Sequence, residues 1–233
     1  MRLQVNEHAR AYGQGIDAIE VAYKATMAAV EAQHSSAVVR ANELRSAKAR
    51  GEIWKLGRRT RIGYQGHPEL NLRLAELDEV DTRDAITVAR NAFAVMLHHH
   101  WEKHCDQWMM NKGNYNGAKA YAWLASHGIH VDKVGLELIR KLSNTIKHNS
   151  EALISDHPEF FNLSIIEPRP RFFEAALRIA DSDIHRMIES LRTSGPQAES
   201  DFPFGAVVRV PLLIGRDHVE YTIQRYQNNY LYR

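Results

Sequence analysis

GIHVDKVGLELIRKLSNTIKHNSEALISDHPEFF, residues 128–161, carries the most legible helix of the chain. Asp132 is placed to open it, and the pattern runs to near Asn149. At about 100° per residue, Leu138, Leu142, Thr145 and Ile146 form its apolar face. Glu137, Lys141, Asn144 and His148 follow at spacings of four, three and four, as one polar row flanking that face. A carboxylate, an ammonium, an amide and an imidazole in one row suit the positioning of a phosphodiester. The imidazole titrates near neutral pH and can move a proton. The ammonium can stabilise charge that develops on a phosphate. The same row also reads as a solvated flank with an ion pair between Glu137 and Lys141.

On either side the sequence is mostly helical. Residues 14–50 predict a long helix, with Ile16, Ile19, Tyr23 and Val30 at helical spacing and Gly51 as terminator. Residues 51–79 are mixed: GYQGHPEL reads as a turn, and Trp54 and Leu56 as anchors of a loop. A second long helix is expected from Asp84 to Asn111, capped by Thr82 or Asp81. Its stripe is Ile86, Ala89, Phe93, Met96, Leu97 and Trp108, and KGNYNG ends it. A short helix, Tyr115 to Ser126, follows. Residues 150–169 read as a connection anchored by Phe160, Phe161, Ile165 and Ile166, before a last helix from Arg171 to Arg192. TSGPQAESDFP reads as a linker. AVVRVPLLIG and RDHVEYTIQRY, meeting at Gly215, predict a β-hairpin with Pro211 at an edge or a break. The expected fold class is therefore mainly α: a helical bundle over 1–195, with a linker and β-hairpin tail over 196–233.

Composition bounds the setting. An apolar fraction of 44% in 233 residues is enough for a core. No apolar run approaches the ~20 residues that span a bilayer, so no membrane partner is expected. The first fifteen residues lack the apolar core of a secretory signal, and Cys105 is the only cysteine. A lone thiol suits a reducing compartment, and the expected location is cytoplasmic. The net charge is only +2, but the basic residues are uneven: Arg40, Arg45, Lys48, Arg50, Lys55, Arg58, Arg59 and Arg61 face only Glu43 and Glu52. An acidic stretch, Glu69 to Asp84, follows. The basic run reads either as a solvated helix end or as a patch that contacts phosphates.

His98, His99, His100 and His104 form a second constellation. His100 and His104 share a face with Phe93 and Leu97, while His98 and His99 point elsewhere. An i, i+4 pair can hold zinc when a third ligand is supplied. None is identifiable here, and the competing reading is two hydrogen-bonded histidines at the edge of a core. Cys105 reads as a packed thiol. Tyr221, Tyr226, Tyr230 and Tyr232 read either as a base-stacking row or as packing for the hairpin. Gly-rich phosphate loops and nucleophile elbows are absent.

The stretch 128–161, with its Asn144-x-x-x-His148 element, short connection and apolar PEFF segment, resembles a branch of the HEPN superfamily of bacterial helical proteins. Helix order extends the likeness more loosely over residues 80–192. The resemblance implies a helical bundle that forms a homodimer and needs no cofactor. It also implies RNA binding or metal-independent endoribonuclease activity in toxin–antitoxin, stress or phage-defence systems, with RNA or a cognate protein as partner. On that reading His148 is the general base or acid, Asn144 orients, Lys141 and Arg140 contact phosphate, and the run Arg40–Arg61 holds the RNA backbone. Ser143 stands where such ribonucleases carry arginine. The alternative is a non-catalytic interaction or antitoxin-like regulatory module on the same scaffold.

Overall fold

The computed structural model describes residues 2–51, 68–109, 115–162, 176–197, 207–211 and 222–224. The described residues are mainly helical. In chain order they form β1 (Arg2–Asn6), α1 (Glu7–Ala49), α2 (Pro68–Met109), α3 (Gly117–Ser126), α4 (Lys133–His148), α5 (Ala152–Asp156), a 3₁₀ turn at Pro158–Phe160, α6 (Asp181–Thr193), β2 (Val207–Pro211) and β3 (Thr222–Gln224). By backbone proximity the chain divides into one unit of Met1–Val21 with Phe93–Arg233, and a second of Ala22–Ala92.

The second unit is a pair of helix segments. In α1, Tyr23, Met27, Ala37 and Ala41 are buried, with Val30, His34 and Leu44 half-buried between them. These positions alternate by three and four, the spacing of a helix that faces one partner helix. In α2 the matching residues are Leu72, Ala75, Glu79, Thr82, Ile86 and Ala89. Glu31 pairs with Arg90 at 3.6 Å, His34 with Thr82 at 3.1 Å, and Arg45 with Glu79 at 2.7 Å. The partner number falls as the α1 number rises, so the two segments run antiparallel. Four of the seam positions, Ala37, Ala41, Ala75 and Ala89, are alanines, which bury little apolar area.

Both long helices start earlier than the sequence reading places them. α1 begins at Glu7, upstream of Gly13 and Gly15. Gly15 is accommodated because an added Cβ there would meet Cε1 of His100 at 2.2 Å. The His100 ring stacks on Tyr12, with centroids 5.3 Å apart, and its Nε2 lies 3.0 Å from the Tyr12 carbonyl. Gly15→Ala would therefore dislodge the ring. The better helix propensity of alanine, about 1 kcal/mol, works against an overpacking cost of about 1–3 kcal/mol. A net loss of about 1 kcal/mol is expected, read as a lower urea midpoint with an unchanged slope. α2 begins at Pro68, well before Asp84. Proline suits the first turn of a helix, where its missing N–H would be unpaired in any case. Thr82 consequently lies mid-helix and caps nothing. Its Oγ1 donates back to the Asp78 carbonyl at 2.7 Å. The expected terminator is borne out: α1 stops at Ala49, and Gly51 takes φ +69, with its N–H donated to the Lys48 carbonyl at 3.0 Å.

In the first unit, α4 packs on α6 and on α5. The buried face of α4 is Leu136, Ile139, Leu142, Ser143 and Thr145. Its centre is thus rotated from the expected Leu138–Ile146 face, and Leu138 and Ile146 are only half-buried. Gly135 permits the α6 contact, since a Cβ there would lie 2.1 Å from Ser190 Oγ. The segment expected as a linker starts inside the fold: Ser194, Gly195 and Pro196 are buried. Ser194 Oγ accepts the Asp132 N–H at 2.8 Å, and the Gly195 N–H reaches the His130 carbonyl at 3.1 Å. These bonds tie the start of α4 to the end of α6. The expected anchors Phe160 and Phe161 are buried, and Phe161 bridges Leu177, joining the two sides of residues 163–175. Ile165, Ile166 and residues 171–175 of the expected last helix lie outside the described residues; over the described part that helix starts later than expected, because Leu177 is held in the bridge, Ala180 is extended and α6 begins at Asp181.

The strands form one antiparallel sheet in the order β1-β2-β3. Arg2 pairs with Pro211 and Asn6 with Val207, while Val207 also pairs with Gln224 and Arg209 with Thr222. β2 is therefore central rather than an edge. Pro211 is accommodated because it is the last residue of its strand. The connection through 212–221 lies outside the described residues.

Candidate functional site

The start and stop of α4 are fixed locally. Asp132 accepts the Gly135 N–H at 3.0 Å on its side-chain oxygen, as expected for the opening residue. Asn149 turns left-handed at φ 53 and donates its N–H to the Thr145 carbonyl at 3.0 Å, which closes the last turn. Along the helix, Glu137, Lys141 and Asn144 are half-buried and His148 is exposed.

The charges on this row pair differently from the expected Glu137–Lys141 bridge. Glu137 takes Arg140 in a bidentate grip, Nε to Oε2 at 2.9 Å and the terminal nitrogen to Oε1 at 2.5 Å. A planar guanidinium fits a carboxylate in this way, and an ammonium does not. The Arg140 fork holds the Glu137 carboxyl below the usual glutamate range. Lys141 instead reaches Asp156 on α5 in a close ion pair, which lowers the Asp156 carboxyl. Arg140 and Lys141, the two phosphate contacts that the resemblance implies, thus each carry a carboxylate counter-ion. Neither presents an uncompensated charge to a phosphate unless its carboxylate is displaced.

Charged groups of α4 bear on His98, which the sequence reading placed off the apolar face. His98 of α2 is buried, and neither of its ring nitrogens has a hydrogen-bond partner. Its Nδ1 lies 3.4 Å from Glu102 Oε2, and its ring meets Tyr115 edge-on with centroids 6.3 Å apart. Burial pushes the imidazole down to about 4, with Lys147, Arg140 and His99 adding repulsion and Glu137 opposing it. Tyr115 accepts the Trp101 Nε1–H at 3.0 Å. The hydroxyl of Ser143 is buried without a partner. The missed signal was local: His98 lies one position off the apolar stripe, but the second half of α2 is covered on more than one side. Phe93, Ala94, Leu97, His98, Trp101, His104, Cys105 and Trp108 are all buried.

The other histidines are components of the core and its edge. His100 is half-buried, with its ring nitrogen on the Tyr12 carbonyl, and burial lowers its pKa. His104 is buried, packs 4.5 Å from the His100 ring, and is pushed down to about 4 by burial first and by His100 next. His99 is exposed. No group of three metal-binding side chains occurs among the described residues. Cys105 is buried, and burial raises its thiol well above the usual range, so the reactive thiolate is disfavoured.

The basic run is partly neutralised. Arg45 pairs with Glu76 at 3.2 Å and Glu79 at 2.7 Å, and also donates to Asn42 at 3.0 Å. The acidic stretch after the run supplies both carboxylates. Arg40, Lys48 and Arg50 are exposed. Lys55, Arg58, Arg59 and Arg61 lie outside the described residues, as do Tyr221, Tyr226, Tyr230 and Tyr232. No family model, curated protein or solved structure matches the chain. Among the described residues no helix is long and apolar enough to cross a membrane.

Proposed function

We propose that this chain is a non-catalytic interaction module on a HEPN-like helical scaffold with a C-terminal β-hairpin, using the polar edge of α4 to hold a partner protein. The supporting observation is the pairing of Arg140 with Glu137 and of Lys141 with Asp156. A phosphodiester-cleaving site needs cations directed at the developing charge. In this chain both candidate cations are directed at carboxylates. Alternating charges fixed by salt bridges suit recognition of a complementary polar surface, where they contribute specificity more than raw affinity.

A metal-independent endoribonuclease is the second reading. It is favoured by the exposure of His148 four residues after Asn144, with Lys147 exposed beside it. The assay that separates the two is incubation of the full chain with total RNA in EDTA, beside His148→Ala. The module reading expects no cleavage by either protein. Cleavage by the parent that disappears in the variant would establish the nuclease instead.

A further inference from the structure

The α2 segment in the Ala22–Ala92 unit has a second apolar surface, on the side turned away from α1. Leu72, Ala75, Thr82 and Ile86 face the α1 seam. Leu74, Leu77 and Val88 are 51%, 58% and 60% exposed, and Val80 is 38% exposed. At 100° per residue, Leu74, Leu77 and Val80 lie within about 60° of one line along the helix, with half-buried Leu70 beside them. Scattered exposed leucines need no explanation, but an aligned row on one helix face does.

The charges bounding this row are ordered. Exposed Arg73 stands on the same face at its N-terminal end. Exposed Asp81 and Asp84 stand on it at the C-terminal end, Asp84 in a loose, solvent-exposed 3.8 Å pair with Arg83, which an incoming arginine can share. A helix face that is basic at one end, apolar in the middle and acidic at the other complements itself when two copies run antiparallel. Parallel copies would set Arg73 against Arg73 and the aspartates against each other. An isologous contact needs this kind of self-complementarity.

We infer that the outer face of α2 is a homotypic docking surface. On it, Leu74, Leu77 and Val80 of two copies pack antiparallel, and Arg73 of each copy meets the Asp81–Asp84 end of the other. The occupant is a second copy of this chain. The inference does not depend on the partner-binding reading of α4. The contact is narrow, so the expected dissociation constant is in the micromolar range, about 1–100 µM.

Sedimentation equilibrium of the full chain over about 1–300 µM tests this. A monomer–dimer equilibrium is expected. Leu77→Asp should raise the dissociation constant at least about tenfold, as for a central contact residue. Its helical circular dichroism should be unchanged, since Leu77 faces solvent in the monomer. Arg73→Asp should weaken the dimer severalfold, and adding Asp84→Arg to it should regain the affinity. For orientation, Arg73→Cys and Asp84→Cys chains are mixed and oxidised. The antiparallel contact expects 73–84 cross-links in preference to 73–73. Monomer throughout, a dimer indifferent to Leu77→Asp, or dominant 73–73 cross-links would each overturn the inference.

Discussion

Trp101→Ala is expected to destabilise the protein by about 3–5 kcal/mol, the range for removing a fully buried aromatic side chain. Trp101 is 1% exposed and meets Tyr12 and Trp108 edge-on, with centroids 6.1 Å and 5.9 Å away. Its Nε1–H donates to Tyr115. Truncation leaves a large cavity and removes the indole donor from the half-buried Tyr115 hydroxyl, which keeps Tyr121 as a neighbour. The larger effect is the loss of contacts in a close-packed interior, with one lost hydrogen bond added to it. With domain stabilities of about 5–15 kcal/mol, this is roughly a fifth or more of the total. Equilibrium urea unfolding checks it. Trp101→Phe, which keeps most of the ring, should lose markedly less.

Acid should loosen the same region before Glu137 and Asp156 titrate. His98 and His104 are each pushed to about 4 in the folded chain, against an ordinary 6.5. Between those values the unfolded state binds protons that the folded state refuses, so stability falls as pH falls below 6.5 and levels off below 4. By pH 5 the loss is about 2 kcal/mol for each histidine. The groups bearing on His98 are Lys147, Arg140, His99, Glu137 and Glu102. Those bearing on His104 are His100, Lys103 and His8. The lowered carboxyls of Glu137 and Asp156 act at more acid pH, because their stabilisation is lost only once they protonate. Urea midpoints at pH 7.5, 6 and 5 should fall in the parent and fall less steeply in His98→Leu. That variant should also gain stability at neutral pH, because an unsatisfied buried imidazole is replaced by an apolar group. A pH-independent midpoint between 7.5 and 5 would show that neither histidine is held neutral by the fold.

The legible parts of this sequence were those fixed by local chemistry. α4 was placed almost to the residue because Asp132 caps it, Asn149 closes it, and one face is buried between them. The end of α1 at Gly51 was read from the same kind of signal. The start of α2 was not, because the residues after Pro68 place leucines on two faces. Leu72 looks to α1 while Leu74 and Leu77 look to solvent, so no single stripe announces the helix. The burial of His98 was misread for the opposite reason, since burial on several sides erases the periodicity that distinguishes inside from outside. The pairing of Glu137 with Arg140, rather than Lys141, could not be read from spacing, because positions three and four apart both reach. Nor could spacing show that Lys141 is drawn off by Asp156, fifteen residues away. β1 went unread because five residues of strand carry little pattern, and its partner β2 lies two hundred residues later.

The central claim is that carboxylates hold the α4 cations back from phosphate. Its most direct measurement is RNA binding, by fluorescence anisotropy against salt, for the parent chain and for the Glu137→Gln, Asp156→Asn double variant. Releasing Arg140 and Lys141 in this way should create or strengthen binding, with a steeper loss of affinity as salt rises. Parent binding that is already tight and salt-sensitive, unchanged in the double variant and abolished by Arg140→Ala or Lys141→Ala, would contradict it.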